Sequence, residues 1–95
     1  AVAHYERAVA LGEHDHVILA NLADALWQVE GRRNDAIARY RRAILLAETE
    51  LEARPADAAL RAHLGYYYGR VGDPDQSSRY LSEALAAGLQ RFPRG

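Results

Sequence analysis

The sequence contains no cysteine, which excludes disulfides, thiolate metal sites and a cysteine nucleophile together and leaves the chain to hold itself by packing alone. It contains no lysine. Twelve arginines stand against thirteen acidic residues for a net charge of -1, without the positive excess of a general nucleic-acid binder. No run approaches the ~18 consecutive apolar residues of a membrane span, and the N-terminus lacks the basic and then apolar pattern of a signal peptide, so a soluble, cytoplasmic protein is expected. Methionine is missing even at position 1, which predicts a segment of a longer chain, with neighbouring sequence beyond these 95 residues. No alternating apolar run and no Asn-Gly hairpin signal occurs, so β structure has no support. The length suits one small domain, since single cores usually need about 100 to 150 residues.

What is present is apolar spacing at the helical period, with alanine supplying about a fifth of the residues. Val2, Tyr5, Val9 and Ala10 form a first stripe that Gly12 closes. Asp15 stands as an N-cap before Val17, Leu19, Leu22, Ala23 and Leu26, and Gly31 is expected to end that second helix. Asn34 or Asp35 can cap a third, with Ile37, Tyr40, Ile44, Ala47 and Leu51 running on to Pro55. Asp57 caps a fourth, bearing Leu60, Leu64, Tyr67, Tyr68 and Val71, and Gly72 stops it. Asp73-Pro74-Asp75-Gln76 opens a fifth, where aspartate can cap, proline suits the first turn and glutamine can reach back. That helix carries Leu81, Ala84 and Leu85 and is predicted to end near Gly88. The expectation is an all-α chain of about five helices, with loops short enough to make neighbours antiparallel hairpins.

The stripes repeat. Ala1, Tyr5 and Ala8 share their spacing with Ala36, Tyr40 and Ala43, and with Ser77, Leu81 and Ala84. Leu19, Leu22, Ala23 and Leu26 share theirs with Arg61, Leu64, Gly65 and Tyr68, while Asp15 and Asp57, and Gly31 and Gly72, hold equivalent caps and turns. Small residues at Ala23, Gly65, Ala36, Ala43 and Ala84 let helices approach, and Leu22, Leu64, Tyr40 and Leu81 fill the space beside them. In this pattern the chain resembles the tetratricopeptide repeat family, whose 34-residue unit reads W-x2-L-G-x2-Y, then A-x3-F, then P. Leu64-Gly65-x-x-Tyr68 with Gly72-Asp73, and Gly31 through Ala36-x-x-x-Tyr40-x-x-Ala43, match it best.

The resemblance covers nearly the whole chain and implies a short α-solenoid of antiparallel helical hairpins wound as a right-handed superhelix. Residues 1–12 would be the second helix of a truncated repeat, 15–54 a repeat with a lengthened second helix, 57–88 a further repeat and 89–95 a tail. Seven additional residues before Pro55 add two turns, about 10 Å, so the third helix would project. No polar capping helix follows Gly88, leaving an apolar face open around Leu85, Leu89 and Phe92.

The resemblance also implies a function: a non-catalytic protein-interaction module that takes a partner segment in the concave groove lined by first helices. The lining would be Val17, Ala20, Asn21, Asp24, Trp27 and Gln28 in one repeat and Ala59, Ala62, His63, Tyr66 and Arg70 in the next. Asn21, Asp24, Trp27, Gln28, His63, Tyr66 and Arg70 are the candidate contacts, combining aromatic area with donors for carbonyls and carboxylates. The family's carboxylate clamp is disfavoured: Asn21 fits one clamp asparagine, but Ala20, Ala59 and His63 stand where other ligating groups belong. Alternatives are self-association through open terminal faces, or a regulatory repeat region of a bacterial signalling or transcription-regulator protein.

Other constellations carry less. Arg32, Arg33, Arg39, Arg41 and Arg42 cluster, but without interleaved aromatics they read as a solvated face, and nucleic acid is not the expected partner. His14-Asp15-His16 is short of a zinc set, Asp15 being better used as a cap and the histidines as plain surface, so no metal is assigned. Tyr66-Tyr67-Tyr68 spreads around its helix, one ring toward the groove and the others packed. No serine has a histidine at helical spacing and no phosphate loop is present, so neither catalysis nor a cofactor is expected.

Overall fold

Aspartates open three of the four helices that make up residues 15–91, the part of the chain described in this computed structural model. The helices are α1 (His16–Trp27), α2 (Arg33–Ala53), α3 (Ala58–Val71) and α4 (Pro74–Arg91). Asp15 is extended, and its Oδ1 accepts from the amides of Val17 at 2.8 Å and Ile18 at 3.4 Å. Asp57 accepts from the Leu60 amide at 3.0 Å, and Asp73 from the Gln76 amide at 3.1 Å with Pro74 as first helical residue. Each carboxylate satisfies donors that a helix start leaves without an intrahelical partner.

Three expected boundaries move. The helix begun at Asp15 ends at Trp27 rather than running to Gly31, because the Gln28 and Val29 amides fold back to Ala25 and Leu26 in a tightened last turn. Gly31 instead supplies a positive φ of 82° in the turn that follows. Neither Asn34 nor Asp35 caps α2: the Arg32 carbonyl receives the first ladder bond from Ala36, so the helix starts at Arg33. Asp35 lies inside the first turn, where its charge suits the helix dipole and its carboxylate accepts from Arg32 Nε at 2.6 Å. Finally, Gly88 does not end α4, which continues to Arg91. The expected helix over 1–12 and the tail beyond residue 91 lie outside the described residues.

The fold is all-α, with the helices packed sequentially as adjacent pairs. Two packed units divide the chain within α2, Ala1–Leu46 and Ala47–Gly95. In the first, Leu19, Leu22, Ala23 and Leu26 of α1 are buried, as are Ala36, Tyr40, Ala43 and Ile44 of α2. Large side chains thus alternate with alanines, which lets helices approach while space stays filled. The Tyr40 ring meets the Trp27 ring edge-on at 6.3 Å, and its hydroxyl donates to Asp24. His16, expected at the surface, is buried at the start of α1.

The second unit holds the end of α2 with α3 and α4. Leu60, Leu64, Gly65 and Tyr67 of α3 are buried, together with Ala47 and Tyr80. Gly72, at φ 87°, closes α3 by returning its amide to Gly69 while the next amide, of Asp73, returns to Tyr68. Gly65 sets the approach of α4: a β-carbon there would lie 2.6 Å from Leu81 Cγ and 3.2 Å from the Ser77 carbonyl. Ser77 stands where the repeat pattern has alanine, and its hydroxyl donates to the Gly65 carbonyl at 2.7 Å, so the exchange leaves no unsatisfied donor. Leu81 differs from expectation. It presses on Gly65 yet remains 48% exposed, and Tyr80 is the residue of α4 that enters the core.

Gly65→Val is expected to destabilise the chain by about 1–3 kcal/mol through overpacking against Leu81. A lowered urea midpoint reads this, and Leu81→Ala in the same chain should recover a substantial part of the loss.

Candidate binding cleft

On the surface of the second unit, α3 and α4 enclose an open cleft of about 330 Å³, lined by Gly65, Tyr66, Gly69, Arg70, Ser77 and Leu81. Gly65 and Gly69 stand one helical turn apart on α3, and Leu81 of α4 packs onto Gly65 to form an apolar wall. Tyr66 and Arg70 flank it, also one turn apart, with Arg70 Nε donating to the Tyr66 hydroxyl at 3.2 Å. The guanidinium carbon lies 5.3 Å from the Tyr66 ring centre. Cation and ring hold each other in place while the phenol stays 41% exposed. Arg70 is a charged residue of this lining. Apolar walls beside a few fixed polar groups are the usual make-up of a ligand cleft, and the volume falls at the small end of the ~300–1,000 Å³ range.

The expected groove residues separate between the two units. Asn21 and Gln28 are exposed on and just after α1, and Trp27 is half-buried with the Arg33 guanidinium 4.7 Å over its ring. Asp24 is turned to internal use by the Tyr40 hydroxyl, and Ala20, expected in the lining, is buried. In the second unit Tyr66 and Arg70 come together in the cleft. Exposed His63 stacks at 6.0 Å on buried Tyr67 and is not part of the cleft lining. The three consecutive tyrosines divide as the helical period demands: Tyr66 outward, Tyr67 into the core, Tyr68 half-buried toward the end of α2.

Tyr68 belongs to a cluster that the spacing of residues did not reveal. The Glu48 carboxylate, near the C-terminal end of α2, accepts from the Tyr68 hydroxyl at 2.8 Å and from the Tyr80 hydroxyl at 3.1 Å. The two phenol rings stack at 5.6 Å, only 10° from parallel. One carboxylate oxygen therefore joins α2, α3 and α4. Burial and then the hydrogen bond to Glu48 push the Tyr68 phenol up to about 12. Burial and then the charge of Glu48 move Tyr80 in the same direction. No sequence signal marks Glu48 among Glu50 and Glu52. Tyr80 shares a permissible helical spacing with Leu81, so only packing selects between them.

Among the described residues no three His, Asp or Glu side chains gather in a group able to hold a metal ion. No helix there is long and apolar enough to cross a membrane. No family model matches the chain, and neither a curated protein nor a solved structure matches it. The described residues form a small all-α domain whose four helices pack in sequence.

The tyrosine cluster has a pH signature. In the folded chain the Tyr68 phenol keeps its proton above the ordinary value of 10.0, where an unfolded chain would have released it. The stability this contributes is fully present below pH 10 and is lost as the pH rises from 10 toward 12. Thermal melts across that window, with tyrosinate absorbance followed in parallel, should show a falling midpoint. Tyr68→Phe should flatten the fall while costing about 1 kcal/mol at neutral pH for the lost hydrogen bond.

Proposed function

We propose that this chain is a tetratricopeptide-like, non-catalytic module that binds a segment of a partner protein through the α3–α4 cleft. The observation that carries the reading is the cleft itself: small residues at Gly65 and Gly69, an apolar wall at Leu81, which packs onto Gly65, and the Tyr66–Arg70 pair beside them. The small-beside-large arrangement of Gly65 with Leu81, and of Ala23, Ala36 and Ala43 with Leu22 and Tyr40, supports the family assignment, because it is the packing that the repeat pattern encodes. Rigid aromatic area beside an arginine suits protein recognition, where such anchors supply most of the binding energy.

The test is affinity capture from a lysate of the source organism with the native chain and with a Tyr66→Ala, Arg70→Ala variant whose helicity is checked by circular dichroism. A partner recovered by the native chain and reduced at least tenfold by the variant is the expected result. Equal recovery by the two would reject the cleft as the binding surface.

Self-association is a second reading, favoured by Leu81 at 48% and Leu85 at 66% exposure, one turn apart on α4. It predicts a mass that rises with concentration in light scattering and returns to that of the monomer on Leu85→Arg. A strict monomer throughout the series would remove it.

A further inference from the structure

We propose that the exposed face of α2 is where two copies of this chain associate, their α2 helices lying antiparallel about a two-fold axis; the contact uses no residue of the α3–α4 cleft. The first ground is the charge left unpaired on this helix. Arg32 meets Asp35, Arg54 meets Glu50, and Arg61 and Arg79 both meet Glu83. Among the described residues, by contrast, the exposed side chains of Arg39, Arg41 and Arg42 have no hydrogen bond or ion pair, and α2 has no acidic residue between Asp35 and Glu48. Toward the other end of the helix Glu48 accepts from two phenols and Glu50 holds Arg54, whereas Glu52 is exposed with no such partner. Cations in the first half and a carboxylate near the C-terminus run in the same sense as the helix dipole. That arrangement is unfavourable within one helix and is relieved by an antiparallel neighbour.

The second ground is spacing. Ala38, Arg42, Leu45, Thr49 and Glu52 follow one another at steps of four, three, four and three residues, the spacing of a helix–helix seam, and all five are exposed. Leu45, at 60% exposure, is the large apolar residue at the middle. The stripe lies on one helix, so its geometry follows from that helix's own period. Laid antiparallel with Leu45 against Thr49 of the second copy, it sets Arg42 against Glu52 at both ends, because 42 and 52 lie equally far outside 45 and 49. A parallel pair would set arginine on arginine and glutamate on glutamate. The antiparallel contact is isologous, each residue pair occurring twice, as a closed dimer requires. With little apolar area in the seam, the ion pairs fix the orientation and the dimer is weak and salt-sensitive.

The test is sedimentation equilibrium on the full chain from about 10 µM to about 1 mM, a range that brackets weak association. The native chain should pass from monomer toward dimer, less so at high salt. Arg42→Glu and Glu52→Arg, each shown by circular dichroism to be folded, should each weaken association at least tenfold, since each brings like charges together. The double variant, Arg42→Glu with Glu52→Arg, should recover the native behaviour. An equimolar mixture of the two single variants should associate at least tenfold more tightly than either alone. Leu45→Arg should leave a monomer, and Leu85→Arg should change nothing.

A strict monomer across the range would overturn the proposal. A dimer that Leu85→Arg dissolves and Leu45→Arg does not would also overturn it, assigning the contact to α4. Single variants that weaken the dimer, with no recovery in the double variant or the mixture, would overturn the antiparallel register. A native chain that stays monomeric yet binds an Ala/Glu helical peptide, losing it on Arg42→Glu, would give this face to an acidic partner in place of a second copy.

Discussion

The contact on which the second unit depends is the approach of α4 to α3 at Gly65. Because that residue has no side chain, Leu81 and the Ser77 carbonyl occupy the place where a β-carbon would stand, and the Ser77 hydroxyl reaches the Gly65 carbonyl. Close approach has two results. It fixes the separation of the two helices, and it sets Leu81 as one wall of the cleft that Tyr66, Gly69, Arg70 and Ser77 also line. The cleft is therefore a by-product of the packing that holds the unit together. Its position is set as firmly as the helix pair.

A second constraint comes from the opposite kind of residue. Glu48 is charged and half-buried, and it is satisfied by two phenolic hydroxyls from different helices whose rings stack on each other. A carboxylate removed from water costs free energy unless hydrogen-bonded, so the cluster is tolerated only when α2, α3 and α4 are all in place. That makes it specific as well as stabilising: a slip of α4 by one residue would exchange Tyr80 for Leu81 and leave that carboxylate oxygen with one phenolic donor in place of two. The elevated phenol values are the titration signature of this dependence.

The first unit answers the same packing problem with different residues. Alanines at 23, 36 and 43 do the work of Gly65, and Tyr40 carries both the bulk and a hydroxyl that must be satisfied, which Asp24 does. The consequence for recognition is direct. Half-buried Asp24, on the helix face assigned to ligand contact, accepts from the Tyr40 hydroxyl, while Trp27, with Arg33 over its ring, is half-buried and Asn21 is exposed. Within the second unit, Tyr66 and Arg70 hold each other in the cleft, so the aromatic and the cation expected to act together do meet.

Local chemistry made much of this legible from residues alone. Aspartates with a free carboxylate before an apolar stripe become N-caps wherever they occur, and Gly72 ends a helix because a positive φ is cheap only for glycine. The 3.6-residue period likewise separated Tyr66 from Tyr67 and Tyr68, and the small-beside-large pattern located Gly65 against Leu81. What the sequence left open were choices between residues of equal local merit. Tyr80 and Leu81 both fit the period of α4, Glu48 resembles its neighbouring glutamates, and His16 looks like surface in a turn. Asp24 was open to ligand or core. Such choices depend on which groups from distant helices arrive at the same place, through burial, a second phenol or a shared carboxylate. Periodicity along one helix contains none of that information, and only the tertiary packing decides it.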